Sequence, residues 1–326
     1  MSAPALEVRD LRVEFRSRRH VGYPVNGLSY HVRRGKTLAI VGESGAGKSV
    51  AAHAVMGTLP GPARITGGDV WLAGRELTRL PERERRPIRG RQLAMIAQDS
   101  LAALDPLFTV ANQIGEMFRF HRGLSRRSAE RAAVELMDLV GIPDARRRAG
   151  QYPHEFSGGM RQRVMIAMAL ALEPEVVIAD EPTSALDVTV QAQVLDLLGS
   201  RQRAMGLALV LITHDLGVVA EAADRVLVMY AGRAVEEAPV RELFRRPAHP
   251  YTAALLTSVP RLDRPEEELQ PIPGSPPDAA MVPAGCPFRP RCPLARARCE
   301  TDIPALREVA PGHRSACHFA EQVLDG

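Results

Sequence analysis

Lysine is almost missing from this chain. Of its 42 basic residues only Lys36 and Lys48 are lysines, so arginine carries nearly all the positive charge. Aromatic residues make up 4% of the 326 positions, with a single tryptophan. That is too sparse for the aromatic-interleaved basic stripe of a nucleic-acid binder, and no helix-turn-helix signal stands in for it. There is no run of about 18 apolar residues, which argues against a membrane-spanning helix. The first residues do not combine a basic start with an apolar core, so no secretory signal is expected and the cytosol is the expected compartment. Neither sign of charge dominates: the net charge is +4 and the isoelectric point near 9.1. That mild excess suits contact with acidic phospholipid headgroups better than with nucleic acid. Cysteine is absent before residue 286.

One of the two lysines lies in a run of small residues. Gly42-Glu43-Ser44-Gly45-Ala46-Gly47-Lys48-Ser49 fits the phosphate-loop pattern G-x-x-x-x-G-K-[ST]. An apolar run at residues 36–41 precedes it and predicts a buried parallel strand. Residues 50–56 predict a helix, stopped by Gly57. Strand, loop and helix in that order are the context the pattern needs. Glycines let backbone amides turn in on phosphate oxygens, and the helix start adds partial positive charge. Lys48 then reaches the β- and γ-phosphates and the Ser49 hydroxyl meets Mg²⁺. A compact ammonium fits inside such a loop where a planar guanidinium does not, which accounts for a lysine in an arginine chain.

Three further segments complete a nucleotide site. Residues 176–181 are an apolar strand ending in Asp180 and Glu181. Asp180 is placed to hold Mg²⁺ through water, and Glu181 to polarise an attacking water. Residues 209–214 form another apolar strand ending in His214, a candidate contact to the γ-phosphate. Between loop and acids stands a second glycine-bearing helix start, Ser157-Gly158-Gly159. Such an element does not fold back onto its own nucleotide, so it predicts closure over the nucleotide of a second chain.

Taken in order, these segments resemble the nucleotide-binding subunit of an ATP-binding cassette (ABC) transporter over roughly residues 5–250. The resemblance implies that residues 42–49 are the Walker A loop, that Gln98 is the Q-loop glutamine touching Mg²⁺, and that Asp180 and Glu181 are the Walker B pair. It also implies that residues 184–187 are the D-loop and that His214 is the switch histidine. The signature motif falls on residues 157–162, with Phe156 and Met160 where the family usually has leucine and glutamine. Methionine cannot supply the amide of glutamine, which puts contacts from that position in doubt. The aromatic that stacks on adenine in the family falls on Tyr23 or Phe15, next to an arginine-rich stretch at residues 16–20. The fold expected is α/β: a P-loop ABC core with a small antiparallel β layer and a helical subdomain at about 105–170. Residues 98–125 would line the cleft that receives a helix of the membrane partner.

Past residue 240 proline becomes dense, and residues 251–326 are expected to be a loop-rich extension to a nucleotide-binding domain of residues 1–250. It holds all four cysteines: Cys286, Cys292, Cys299 and Cys317. Clustered cysteines in a cytosolic ATPase suggest a metal before a disulfide. Four thiolates suit Zn²⁺ or an iron–sulfur cluster. The gaps between the first three are longer than in zinc knuckles, which favours [4Fe–4S]; zinc and reduced thiols stay open. His249-Pro250-Tyr251-Thr252 and the segment from Gly285 to Cys292 resemble the extension of dipeptide and oligopeptide permease ATPases, a resemblance that supports a cluster.

The resemblance implies an ATP-hydrolysing importer subunit for di- or oligopeptides, with nickel or another small solute as alternatives. It implies two transmembrane permease subunits, a second ABC ATPase (a paralogue rather than a copy) and an extracytoplasmic solute-binding protein. The location implied is peripheral, on the cytoplasmic face of the membrane. A soluble ABC ATPase acting on nucleic acid or ribosomes is the reading from a different class. A single cassette without a long insertion speaks against it, and nucleic acid is not expected as a partner.

Overall fold

The computed structural model describes residues 3–17, 20–184, 186–258 and 271–325. Arg18 and Arg19 of the arginine-rich stretch, Ala185 of the D-loop segment, and Pro260 and Pro265 of the extension lie outside the described residues. In chain order the strands are β1 (Leu6–Arg16), β2 (Val21–Val32), β3 (Thr37–Val41), β4 (Ala63–Leu72), β5 (Arg75–Glu76), β6 (Leu93–Ile96), β7 (Val176–Asp180), β8 (Ala208–Ile212), β9 (Arg225–Tyr230), β10 (Arg233–Pro239), β11 (Arg307–Ala310) and β12 (His313–Ser315). The chain divides into two interleaved units. One comprises Met1–Leu6, Val32–Lys36 and Trp71–Ile212; the other comprises Glu7–His31, Thr37–Val70 and Thr213–Gly326. The division does not fall at residue 250. The residues beyond it share a unit with the phosphate loop.

The first unit is built on the parallel strands β6, β7 and β8. Their register pairs Leu93 with Val176 and Asp180 with Ile212. All five residues of β7 and of β8 are buried. Continuous apolar runs such as these suit a sheet covered on both faces. Helices Val110–Arg122, Arg126–Leu139, Gly158–Leu170 and Val188–Met205 are the longest of the unit. The first two are amphipathic, burying Ile114 and Phe118 on one and Ala129, Ala133 and Met137 on the other. Each starts on a side-chain cap: Thr109 accepts from the Asn112 amide, and Ser125 from the Ser128 amide. Helix Val188–Met205 begins on Asp187, whose carboxylate accepts from the Val190 amide at 3.0 Å.

In the second unit β3 and β9 run parallel, Leu38 beside Arg225 and Val41 beside Val228. Strand β9 continues antiparallel into β10. Beyond it β12 and then β11 are added antiparallel. Strands β1, β2 and β4 belong to a second sheet of order β2-β1-β4-β5. The extension is therefore loop-rich yet also lengthens the sheet. Strands of four and three residues are too short to carry a readable alternation, and the proline density around them hides the pairing. A buried polar clip fixes that edge. Glu236, fully buried on β10, accepts from the Ala248 amide at 2.6 Å and shares a 2.7 Å hydrogen bond with His313 Nε2. Ser315 Oγ donates to the Ala248 carbonyl at 2.7 Å. Ala39, Val41, Val226, Val228, Tyr251 and Phe288 meet in one apolar cluster, so the extension supplies part of the core beneath β3.

Candidate nucleotide site

The phosphate loop follows β3 directly, and helix Lys48–Met56 starts from it. The helix has no side-chain cap; Gly47 stands at its N-cap with φ 98°. A helix start without a side-chain cap is of the kind that suits an anion. Glycine is obligatory here for space as well as for φ: a Cβ on Gly47 would lie 1.9 Å from the Pro24 carbonyl oxygen. Lys48 is buried and donates from Nζ to the carbonyls of Gly42 at 2.7 Å and Glu43 at 3.0 Å. The ammonium therefore sits folded into its own loop. Ser44 and Gly45 are exposed, Ala46 is buried, and Ser49 is half-buried on the first turn.

The two aromatic candidates for the adenine differ in surroundings. Tyr23 and Phe15 are both exposed, at 43% and 42%. Tyr23 immediately precedes Pro24, whose carbonyl packs on Gly47, so its backbone is joined to the loop. Phe15 has no such link; its neighbour Arg16 donates its amide to Pro62. His214 belongs to this unit too. It is exposed, between Thr213, whose amide donates to the Ile40 carbonyl at 3.2 Å, and Asp215, which caps helix Leu216–Ala222.

The carboxylates and the serine–glycine helix lie in the first unit. Asp180 is the buried last residue of β7. Glu181 falls one residue past the strand with φ 46°, a left-handed conformation that costs a glutamate about 1 kcal/mol. Its amide donates to the Ile212 carbonyl at 2.8 Å, and its carbonyl accepts from Ser184 Oγ at 3.2 Å. The turn thus fixes the backbone while the carboxylate projects past the strand end. Gln98, exposed two residues beyond β6, donates from Nε2 to Glu181 Oε2 at 3.1 Å. The structure so brings together a glutamine and a glutamate 83 positions apart. Ser157 is exposed and caps helix Gly158–Leu170 by accepting from the Met160 amide at 3.3 Å. A Cβ on Gly159 would lie 2.9 Å from Val190 Cγ1, so this helix start packs tightly on the helix that follows the D-loop segment.

Sequence reasoning missed the support behind the phosphate loop. Tyr251, on helix Pro250–Thr257, accepts from the Glu43 amide at 2.9 Å through its hydroxyl. Arg291 grips the Glu43 carboxylate with two bonds, 2.6 and 2.9 Å. Tyr230, Tyr251 and Phe288 pack tilted or edge-on at centroid distances of 4.6–5.4 Å behind them. Burial raises both tyrosine pKa values, so the hydroxyls stay protonated. The segments holding these residues are visible in the sequence; that they cross some 208 to 248 positions to reach one glutamate is not.

The four cysteines are free thiols. Burial pushes Cys317 up to about 11 and raises Cys286 and Cys292 as well, and the other cysteines add to each shift. The Cys286 amide donates to the Cys299 carbonyl at 2.9 Å. A thiol-only donor set fits a thiolate-bound cluster chemically. Among the described residues, however, no three of His, Cys, Asp and Glu are drawn close enough to hold a metal ion.

A phosphate loop, a carboxylate on a left-handed turn after a buried strand, and a serine–glycine helix start define an ABC-type ATPase cassette. Family models agree: the ABC transporter model matches residues 25–184, and the model of the oligopeptide/dipeptide transporter C-terminal region matches residues 235–299. The chain belongs to the ABC transporter family, in its oligopeptide/dipeptide ATP-binding branch. It is 50% identical to the oligopeptide transport ATP-binding protein OppD of Salmonella typhimurium, over 96% of this chain and 92% of that one. It is 51% identical to OppD of Mycobacterium tuberculosis, over 98% of this chain and 53% of that one. Among solved structures it resembles the dimeric post-hydrolysis state of the ATP-binding cassette MJ0796 bound to ADP and Pi. That match has a TM-score of 0.65 and 25% identity, over 72% of this chain and 99% of that one.

Proposed function

We infer that this chain is the ATP-hydrolysing subunit of an ABC importer for di- or oligopeptides. The observation that carries the reading is the Gln98–Glu181 hydrogen bond at the end of β7. The amide orients the carboxylate and the turn fixes its backbone, which suits a group that must meet a positioned water. The peptide class rests on relatives that match almost the whole chain, extension included. Those relatives are named for peptides, which favours peptides over nickel as cargo.

In the cycle proposed, amides of residues 42–49 cradle the phosphates, Lys48 leaves its loop carbonyls for the β- and γ-oxygens, and Tyr23 stacks on adenine. Ser49, Gln98 and Asp180 would hold Mg²⁺, directly or through water, and the ion would supply charge for the phosphate oxygens. Glu181 orients and deprotonates the attacking water, and His214 meets the γ-phosphate. Ser157, Gly158 and Gly159 of a second ATPase chain close the site from the far side. The second chain is a paralogue in this proposal. Two transmembrane permease subunits and an extracytoplasmic solute-binding protein complete the machine, with this chain peripheral on the cytoplasmic face. No helix among the described residues is long and apolar enough to cross a membrane, which suits attachment through partners.

Cys286, Cys292, Cys299 and Cys317 hold a [4Fe–4S] cluster in this proposal. Bound there, the cluster would cross-link a segment poor in regular structure. Anaerobic purification followed by a visible spectrum and an iron assay tests it; a colourless protein with one zinc per chain contradicts it.

The functional reading is tested on protein purified from membranes through a tag on this chain. Co-purifying permease subunits and Mg·ATP hydrolysis are expected. Lys48→Ala is expected to weaken ATP binding by on the order of a hundredfold. Co-purifying nucleic acid without permeases would contradict the reading.

A further inference from the structure

The second residue of the phosphate loop is a carboxylic acid. Glu43 is one residue from Gly42, in a loop whose task is to receive a polyanion. Left unopposed, that carboxylate would repel the phosphates at short range. The fold opposes it with one side chain from the extension. Arg291 Nη1 donates to Glu43 Oε2 at 2.6 Å and Nη2 to Oε1 at 2.9 Å, a two-pronged pair.

The arginine is built in. Its side chain is 4% exposed, against 25% for Glu43. Nε donates to the Pro273 carbonyl at 2.8 Å, and Nη1 also reaches the Tyr230 hydroxyl at 3.3 Å. The bonds to Glu43 raise the arginine pKa further, so the group is a permanent cation. Glu43 in turn is held at three points: carboxylate by Arg291, amide by Tyr251 at 2.9 Å, and carbonyl by Lys48 at 3.0 Å. Two of the three holders come from residues past 250. Arg291 itself sits on a short turn (Arg289–Arg291) between Cys286 and Cys292.

We propose that Arg291 is a positioning residue for nucleotide binding: it cancels the charge of Glu43 and pins the loop, so that the cysteine-bearing extension sets the affinity of the phosphate loop for ATP. The inference rests on the reading of residues 42–49 as the nucleotide site. It differs from a packing role in one respect. Packing lost at Arg291 is not restored by a change at Glu43, whereas an uncancelled charge is removed by Glu43→Gln.

The test is calorimetric titration of the full chain with Mg·ATP, for wild type, Arg291→Ala, Arg291→Lys and each of these combined with Glu43→Gln. Arg291→Ala is expected to bind roughly tenfold more weakly. Arg291→Lys, which keeps the charge and loses the fork, falls between. Adding Glu43→Gln returns either variant to within about twofold of wild type, and raising the salt concentration shrinks the Arg291→Ala defect. In steady-state hydrolysis the loss falls on KM while kcat at saturating ATP is retained. Should Arg291→Ala not fold, the Arg291→Lys pair decides alone. Wild-type affinity in the folded Arg291 variants, or a loss that Glu43→Gln does not restore, overturns the inference. Folded wild-type chain that does not bind Mg·ATP, or Lys48→Ala that binds as tightly as wild type, overturns instead the reading on which it rests.

Discussion

Glu181 serves two demands that are separable by substitution. Its carboxylate accepts from Gln98, and its backbone sits at φ 46°. Glu181→Gln keeps shape and removes the base proposed above. Hydrolysis is expected to fall by on the order of a hundredfold or more while ATP binding is retained, as read by turnover and by calorimetry. Glu181→Gly removes base and strain together. That variant is expected to be equally inactive but about 1 kcal/mol more stable in urea unfolding. A second residue reports on pH. His249 is fully buried, accepts from the Tyr251 amide at 3.1 Å, and burial lowers its pKa from 6.5 to about 3. Because the folded value lies below the unfolded one, the unfolded chain binds the extra proton. Stability is whole above pH 6.5 and declines as pH falls towards 3, by up to about 1.4 kcal/mol per unit for this one group. His249→Asn, which keeps a capping side chain without the titration, is expected to flatten urea-unfolding stability between pH 6.5 and 5.

At the scale of elements, the extension acts as structure behind the phosphate loop. Phe288 is 1% exposed and packs on Tyr230 and Tyr251. Phe288→Ala is expected to cost about 3–5 kcal/mol by denaturant titration, since a large ring is deleted from a filled cluster. Elements with strong local signals were legible in advance. The glycine-to-serine loop announced itself, and the runs at 36–41, 176–181 and 209–214 became β3, β7 and β8. Helix Lys48–Met56 ends at Gly57 in the left-handed conformation expected of a stop. Beyond the strands the reading was less exact. Glu181 and His214 lie just past strand ends, because short turns re-aim them, and a turn leaves no periodic trace. The pairing of β12 with β10 and the grip of Arg291 on Glu43 depend on long-range closure, which composition and spacing do not encode.

At the scale of the whole molecule, the chain is an ATP-binding subunit of the ABC transporter family. No helix among the described residues is suited to span one. Membership of the ABC transporter family implies permease partners. Relatives at 50% identity match the chain nearly end to end. What the sequence did not reveal is that residues past 250 fold into the unit that carries the phosphate loop and do not stand apart from it. Dense proline reads as a loose tail when no partner segment is known. The apolar cluster beneath β3 shows that several of these residues are core. The central claim, that ATP turnover at Glu181 drives peptide uptake, is tested most directly in proteoliposomes holding the complex purified through this chain. Labelled peptide uptake and phosphate release are measured together, for wild type and for Glu181→Gln. The account predicts that both collapse in the variant while Mg·ATP stays bound; peptide uptake by the variant at the wild-type rate would contradict it.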